Sequence, residues 1–157
     1  MNRKKILIVE DNPDHANLIT EIMLERDRGE YEKEIILMKD GQEAMDFLDK
    51  DIDGDNGVIP QIDLVLLDID LPKINGMKVL KFIRKIPRYN SIPVIILSSN
   101  YDRYIIAEAY GNGADSYIVK PISYEVFAGN LMDMEDRWLI KGFSNPKYVG
   151  CSDFLEY

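Results

Sequence analysis

The chain has 157 residues, of which 46% are hydrophobic and 30% charged, with a formal net charge of −9. That length supports one domain with its own core, and no apolar stretch approaches the roughly 18 residues a membrane helix needs. The acidic balance argues against a nucleic-acid backbone or an anionic membrane surface as the main partner, and the lone cysteine, Cys151, excludes an intrachain disulfide.

The basic start, Met1 to Lys5, leads into an apolar run too short for a signal peptide, so a cytoplasmic protein is expected. Residues 5–9 read as a first strand: Ile6-Leu7-Ile8-Val9 is the unbroken aliphatic pattern of a strand buried on both faces. Asn12-Pro13-Asp14 opens a helix, with Leu18, Ile19, Ile22 and Met23 at helical spacing. Glu34 to Met38 is a second strand. Asp40-Gly41 starts a helix carrying Ala44, Met45, Phe47 and Leu48, and residues 49–62 read as a long polar loop. The run 63–67 is a third strand, followed by the loop Leu71 to Gly76 and a helix from Met77 to Arg84. Val94 to Leu97 is a fourth strand, 102–112 a helix stopped by Gly113, and Ser116 to Val119 a short fifth strand. Pro121 opens a last helical segment over roughly 123–140. Strands alternating with helices predict an α/β fold: a doubly wound parallel sheet with helices on both faces. The domain is expected over 4–140. A tail, 141–157, holds Phe143, Tyr148, Phe154 and Tyr157, too many aromatics for a simple flexible end and too few residues for a separate effector domain.

Polar residues follow four of these strands. Glu10-Asp11 ends the first and Asp68 the third; Ser98-Ser99 ends the fourth and Lys120 the fifth. Open α/β sheets bind ligands beyond the carboxyl ends of their strands. Carboxylates crowded there repel one another unless a cation joins them, and an all-oxygen set suits a hard divalent ion, Mg²⁺ best. An aspartate beside such an ion can act as a nucleophile toward phosphorus. A serine hydroxyl on the same edge can bond a phosphoryl oxygen, and a lysine can balance the charge.

Those residues, with Val65-Leu66-Leu67-Asp68-Ile69-Asp70-Leu71-Pro72 and the following Gly76, Leu80 and Arg84, give a chain that resembles the receiver domain of two-component response regulators over about 4–140. The resemblance implies a flavodoxin-like five-stranded sheet in the order 2-1-3-4-5. It implies that Asp68 accepts a phosphoryl group from a histidine kinase or phosphotransfer protein. Asp11, Asp68 and the Asp70 backbone carbonyl would ligate Mg²⁺, with Glu10 acting through water. Ser98 and Lys120 would bind the phosphoryl group, and Tyr117 would move inward as Ser98 moves. Asp70 and Asn100 occupy the positions that tune acyl phosphate lifetime, and the bond before Pro121 would be cis.

Output would pass through protein contacts made by about residues 101–128, with another protein or in a homodimer. The long second-helix-to-third-strand loop resembles the small regulators paired with bacterial phytochrome kinases, some of which dimerise. Two alternatives stand beside this reading. Asp68-Ile69-Asp70 also matches the Asp-x-Asp signature of haloacid-dehalogenase-type phosphatases, although a complete unit carrying Glu10-Asp11 precedes it and Leu71-Pro72 continues it poorly. A phosphorylation-independent scaffold with a receiver fold is the other. His15, the only histidine, reads as a surface helix residue, and no zinc motif can be built around it.

Overall fold

The computed structural model describes residues 3–25, 29, 31–53, 61–120 and 123–140. The tail 141–157, the Asp-Gly-rich 54–60 segment and the bond before Pro121 lie outside them. Five strands, β1 (Arg3–Val9), β2 (Glu32–Met38), β3 (Leu64–Asp68), β4 (Val94–Ser98) and β5 (Ser116–Val119), form one parallel sheet in the order β2-β1-β3-β4-β5. Five helices connect and flank them: α1 (Pro13–Glu25), α2 (Gly41–Asp53), α3 (Gly76–Lys85), α4 (Arg103–Gly111) and α5 (Tyr124–Glu135). The doubly wound architecture and strand order expected from the sequence are present.

The aliphatic runs are explained by alternation. Leu7, Val9, Val65, Leu67 and Ile96 face one side, packing with Ala44, Leu48, Val79, Leu80, Ile83 and Ile106. Ile6, Ile8, Leu64, Leu66, Ile95 and Leu97 face the other, against Ile19, Ile22, Met23, Phe127, Leu131 and Met134. Each such side chain buried from water contributes about 1.5–3 kcal/mol before its entropy cost.

Two local expectations differ from the structure, and one short element has no counterpart in the sequence reading. The helix begun at Gly41 runs on to Asp53, whereas the sequence predicts a loop from 49; the charged residues there do not break a helix, and the first strong breaker is Gly54. A 3-10 turn, Pro87–Tyr89, follows α3, with Pro at its first position and Tyr89 buried. The last segment is not uniform: α5 ends at Glu135 and a π-helical turn, Asp136–Ile140, continues it.

Polar side chains secure the ends. Asn75 caps α3 through Met77 N (2.7 Å) and Asp102 caps α4 through Tyr104 N (2.8 Å). Arg84 staples α3 to the segments around β4, donating to the carbonyls of Gly113 (2.9 Å) and Ile92 (2.8 Å) and to Asp115 Oδ2 (2.8 Å). At the amino end of the sheet, buried Glu135 accepts from Tyr31 Oη (2.6 Å) and pairs with Lys33, which also donates to the Met23 carbonyl (2.6 Å).

Candidate functional site

The register of the parallel ladder assembles the site. Val9 lies beside Leu67, Asp68 beside Leu97, and Ser98 beside Val119. Glu10, Asp68, Ser98 and Lys120 therefore emerge along one carboxyl edge. The edge straddles β1 and β3, the point where chain order reverses across the sheet and where open α/β folds form a crevice.

Asp68 is the last residue of β3 and only 5% exposed. Its Oδ1 accepts from the Asp70 backbone N–H (3.0 Å) and its Oδ2 from Lys120 Nζ (3.2 Å). The backbone beneath it is held close by Gly76: a Cβ there would sit 2.1 Å from the Asp68 carbonyl oxygen, and Gly76 N–H bonds the Ile69 carbonyl (2.9 Å). Glycine at this position lets the start of α3 tuck under the phosphoacceptor candidate.

Glu10 is 2% exposed. Its Oε2 accepts from Lys120 Nζ (2.8 Å) and its Oε1 from Asn12 N–H (3.3 Å). Burial pushes the Glu10 carboxyl up from 4.5 to about 7, Lys120 opposes the rise, and the neighbouring Asp68 charge adds to it. Asp11 is exposed. Carboxylate oxygens of Glu10, Asp11 and Asp68 lie within 4.8 Å of one another. This all-oxygen donor set, with more negative charge than Lys120 alone offsets, fits a divalent metal. The Asp70 carboxylate does not join the cluster. It points instead to Ser98.

Ser98 ends β4 and is fully buried; its Oγ donates to Asp70 Oδ2 (3.1 Å) and accepts from Asn100 N–H (3.1 Å). The Asn100 carbonyl accepts from Tyr117 Oη (2.6 Å). Tyr117 is 1% exposed while Ser98 rests on Asp70. Burial raises the Tyr117 hydroxyl above its ordinary value and keeps it a donor. These contacts form a continuous chain from Asp68 through the Asp70 backbone and side chain, Ser98 and Asn100 to Tyr117.

His15, expected as a surface helix residue, also borders the site. His15, in the first turn of α1, brings Nδ1 to 3.2 Å from Lys120 Nζ and 3.5 Å from Glu10 Oε1. No local pattern signals this, because 105 positions separate His15 from Lys120. Among the described residues, no helix is long and apolar enough to cross a membrane.

Known proteins are similar to this chain in sequence and fold. Residues 6–130 match the family model for the response regulator receiver domain. The probable methanogenesis regulatory protein FilR2 of Methanothrix harundinacea is 35% identical over 134 residues, covering 85% of this chain and 83% of that one. The phosphorylated cyanobacterial phytochrome response regulator RcpA superposes with a TM-score of 0.78 at 32% identity, covering 90% of this chain and 97% of its own. Rcp1 of Synechocystis is 29% identical over 87% of this chain and 89% of its own length. Its Mn²⁺-bound crystal structure, 28% identical and covering 90% of this chain and 98% of that one, has a TM-score of 0.76. With sheet order, acidic edge and sequence in agreement, this chain belongs to the response regulator receiver domain family and is homologous to single-domain response regulators.

Proposed function

We propose that this chain is a phosphorylation-controlled switch in which Asp68 accepts a phosphoryl group from a histidine kinase or phosphotransfer protein. The observation that carries the reading is the meeting of Glu10, Asp11 and Asp68 with Lys120 Nζ 3.2 Å from Asp68 Oδ2. Glu10, Asp11, Asp68 and the Asp70 backbone carbonyl would hold Mg²⁺. That ion, when bound, neutralises the phosphoryl oxygens and orients them for in-line transfer.

The residues of the chain do the rest. An Asp68 carboxylate oxygen attacks phosphorus, an O–P bond forms, and the N–P bond of the donor phosphohistidine breaks, its electron pair returning to the imidazole. Lys120 already faces the nucleophile and turns an N–H toward the incoming phosphoryl oxygen. Ser98 has its hydroxyl on Asp70 Oδ2, and transfer of that hydrogen bond to the phosphoryl group releases Asp70. Because Asn100 N–H rests on the same Oγ and the Asn100 carbonyl on Tyr117, moving Ser98 disturbs the segment leading into α4. The equilibrium so biased acts on the surface formed by about residues 101–128. Exposed Tyr101, Tyr104 and Tyr124 supply apolar contact area there.

The same proposal covers the receiver unit over 4–140, a contact role for 141–157, a cytoplasmic location, and output by binding another protein or a second copy. The same reading gives Asp70 and Asn100 the tuning of acyl phosphate lifetime, Asp70 touching Ser98 through its carboxylate and Asn100 through its backbone N–H. Incubation with Mg²⁺ and acetyl phosphate, followed by intact mass measurement, tests the reading. One added phosphoryl group in the wild type and none in Asp68→Asn is expected. No adduct on the wild type overturns it in favour of a scaffold, and sustained turnover of a phosphomonoester overturns it in favour of a phosphatase.

A further inference from the structure

We propose that His15 is a positioning residue for phosphoryl transfer, holding the Lys120 ammonium in place through Nδ1. This rests on the reading of Asp68 as phosphoacceptor.

The ammonium of Lys120 has three N–H donors and no acceptor. Among the described residues its three polar neighbours are Glu10 Oε2 (2.8 Å), Asp68 Oδ2 (3.2 Å) and His15 Nδ1 (3.2 Å). Each donor thus has one acceptor. Nδ1 faces the ammonium and accepts from it in the tautomer whose proton is on Nε2, the form the proposal uses.

The ring is aimed by local structure. Asn12 Oδ1 accepts from the backbone N–H of Asp14 (2.9 Å) and His15 (3.3 Å), capping the first turn of α1, and Asn12 N–H donates to Glu10 Oε1 just past β1 (3.3 Å). The imidazole is 46% exposed while Lys120 is 11% exposed, so His15 stands on the solvent side of the ammonium. A lysine stem carries substantial rotamer freedom. Glu10 and Asp68 hold the ammonium from the interior, and His15 is the contact opposing an outward swing.

The arrangement outlasts phosphorylation. When an Asp68 oxygen becomes part of the acyl phosphate, one Lys120 N–H turns to a phosphoryl oxygen and the other two keep Glu10 and His15. Removing His15 leaves the third donor to bulk water and loosens the ammonium in both the attacking and the phosphorylated states.

The rate of acetyl phosphate labelling in Mg²⁺, followed by intact mass, tests this in His15→Ala, His15→Asn and His15→Gln. Asn places its carbonyl oxygen near the Nδ1 position, whereas Gln reaches the Nε2 position. Labelling on the order of threefold to tenfold slower is expected for Ala and Gln, the size of one half-exposed hydrogen bond to a charged group, with Asn restoring most of the rate. Mg²⁺ affinity by titration calorimetry should change less than about twofold across the set.

Wild-type labelling with an unchanged Ala variant overturns this inference and leaves the Asp68 reading standing. Equal rates for Asn and Gln overturn it in favour of mere bulk, and a loss of Mg²⁺ affinity matching the loss of rate overturns it in favour of an effect on the metal. A wild type that takes no phosphoryl group overturns both.

Discussion

Replacing Glu10 with Gln isolates the electrostatic cost of the acidic edge. Burial and the adjacent Asp68 hold the Glu10 carboxyl at about 7 against an ordinary 4.5. Between those values the folded protein retains a proton that the unfolded chain has released. Without a cation, stability therefore falls as pH rises through that window. The full displacement is worth about 3 kcal/mol, and about 2–3 kcal/mol of it accrues between about pH 5 and about pH 8. Gln is the uncharged isostere and carries no such pH dependence. The gap between Glu10→Gln and wild type should widen by that amount over the same range, equal to about 4–12 °C in melting temperature for a chain of this size. Thermal melts of both proteins in chelator at several pH values measure it. Saturating Mg²⁺ should shrink or reverse the gap, because a cation binding the folded state offsets the repulsion. A gap that stays constant with pH would refute the claim that Glu10 is held protonated by its surroundings.

Other expectations follow from named contacts. Gly76→Ala places a methyl 2.1 Å from the Asp68 carbonyl oxygen; it should cost about 1–3 kcal/mol in urea denaturation and slow labelling of Asp68. Asp70→Ala removes the acceptor of the Ser98 hydroxyl, a bond of about 1 kcal/mol, and should speed phosphoryl uptake several-fold in stopped-time labelling. Arg84→Met breaks the staple to Gly113, Ile92 and Asp115. It should cost about 2–4 kcal/mol yet leave labelling intact below the unfolding transition.

Much of the architecture was legible because buried parallel strands are nearly all aliphatic and their polar stops are conspicuous. Asp68, Ser98 and Lys120 could be located without coordinates, since a strand end specifies an edge of the sheet. What a side chain touches at that edge is another matter. That Asp70 would turn its carboxylate to Ser98 rather than join Glu10 and Asp11 depends on the β3–β4 register and on the turn after Asp68. His15 depends on how α1 is capped against β1. The extension of α2 to Asp53 is not legible because the turn formers at 53–57 extend the loop signal back to 49, although charged residues sit comfortably on a helix.

The Tyr31–Lys33–Glu135 contact bears on where motion can occur. Lys33 and Glu135 side chains are 5% and 1% exposed. Pulling them apart would strand a buried charge at about 3–5 kcal/mol, more than the roughly 1–3 kcal/mol typical of coupling between sites. On the proposed reading, a phosphorylation signal of that ordinary size favours leaving the carboxyl end of α5 on β2. In the proposed switch that end is the anchor, and the contacts left to move are those at the opposite rim, between Ser98 and the start of α4. The molecule is a lever with its fulcrum built in at the end farthest from the force.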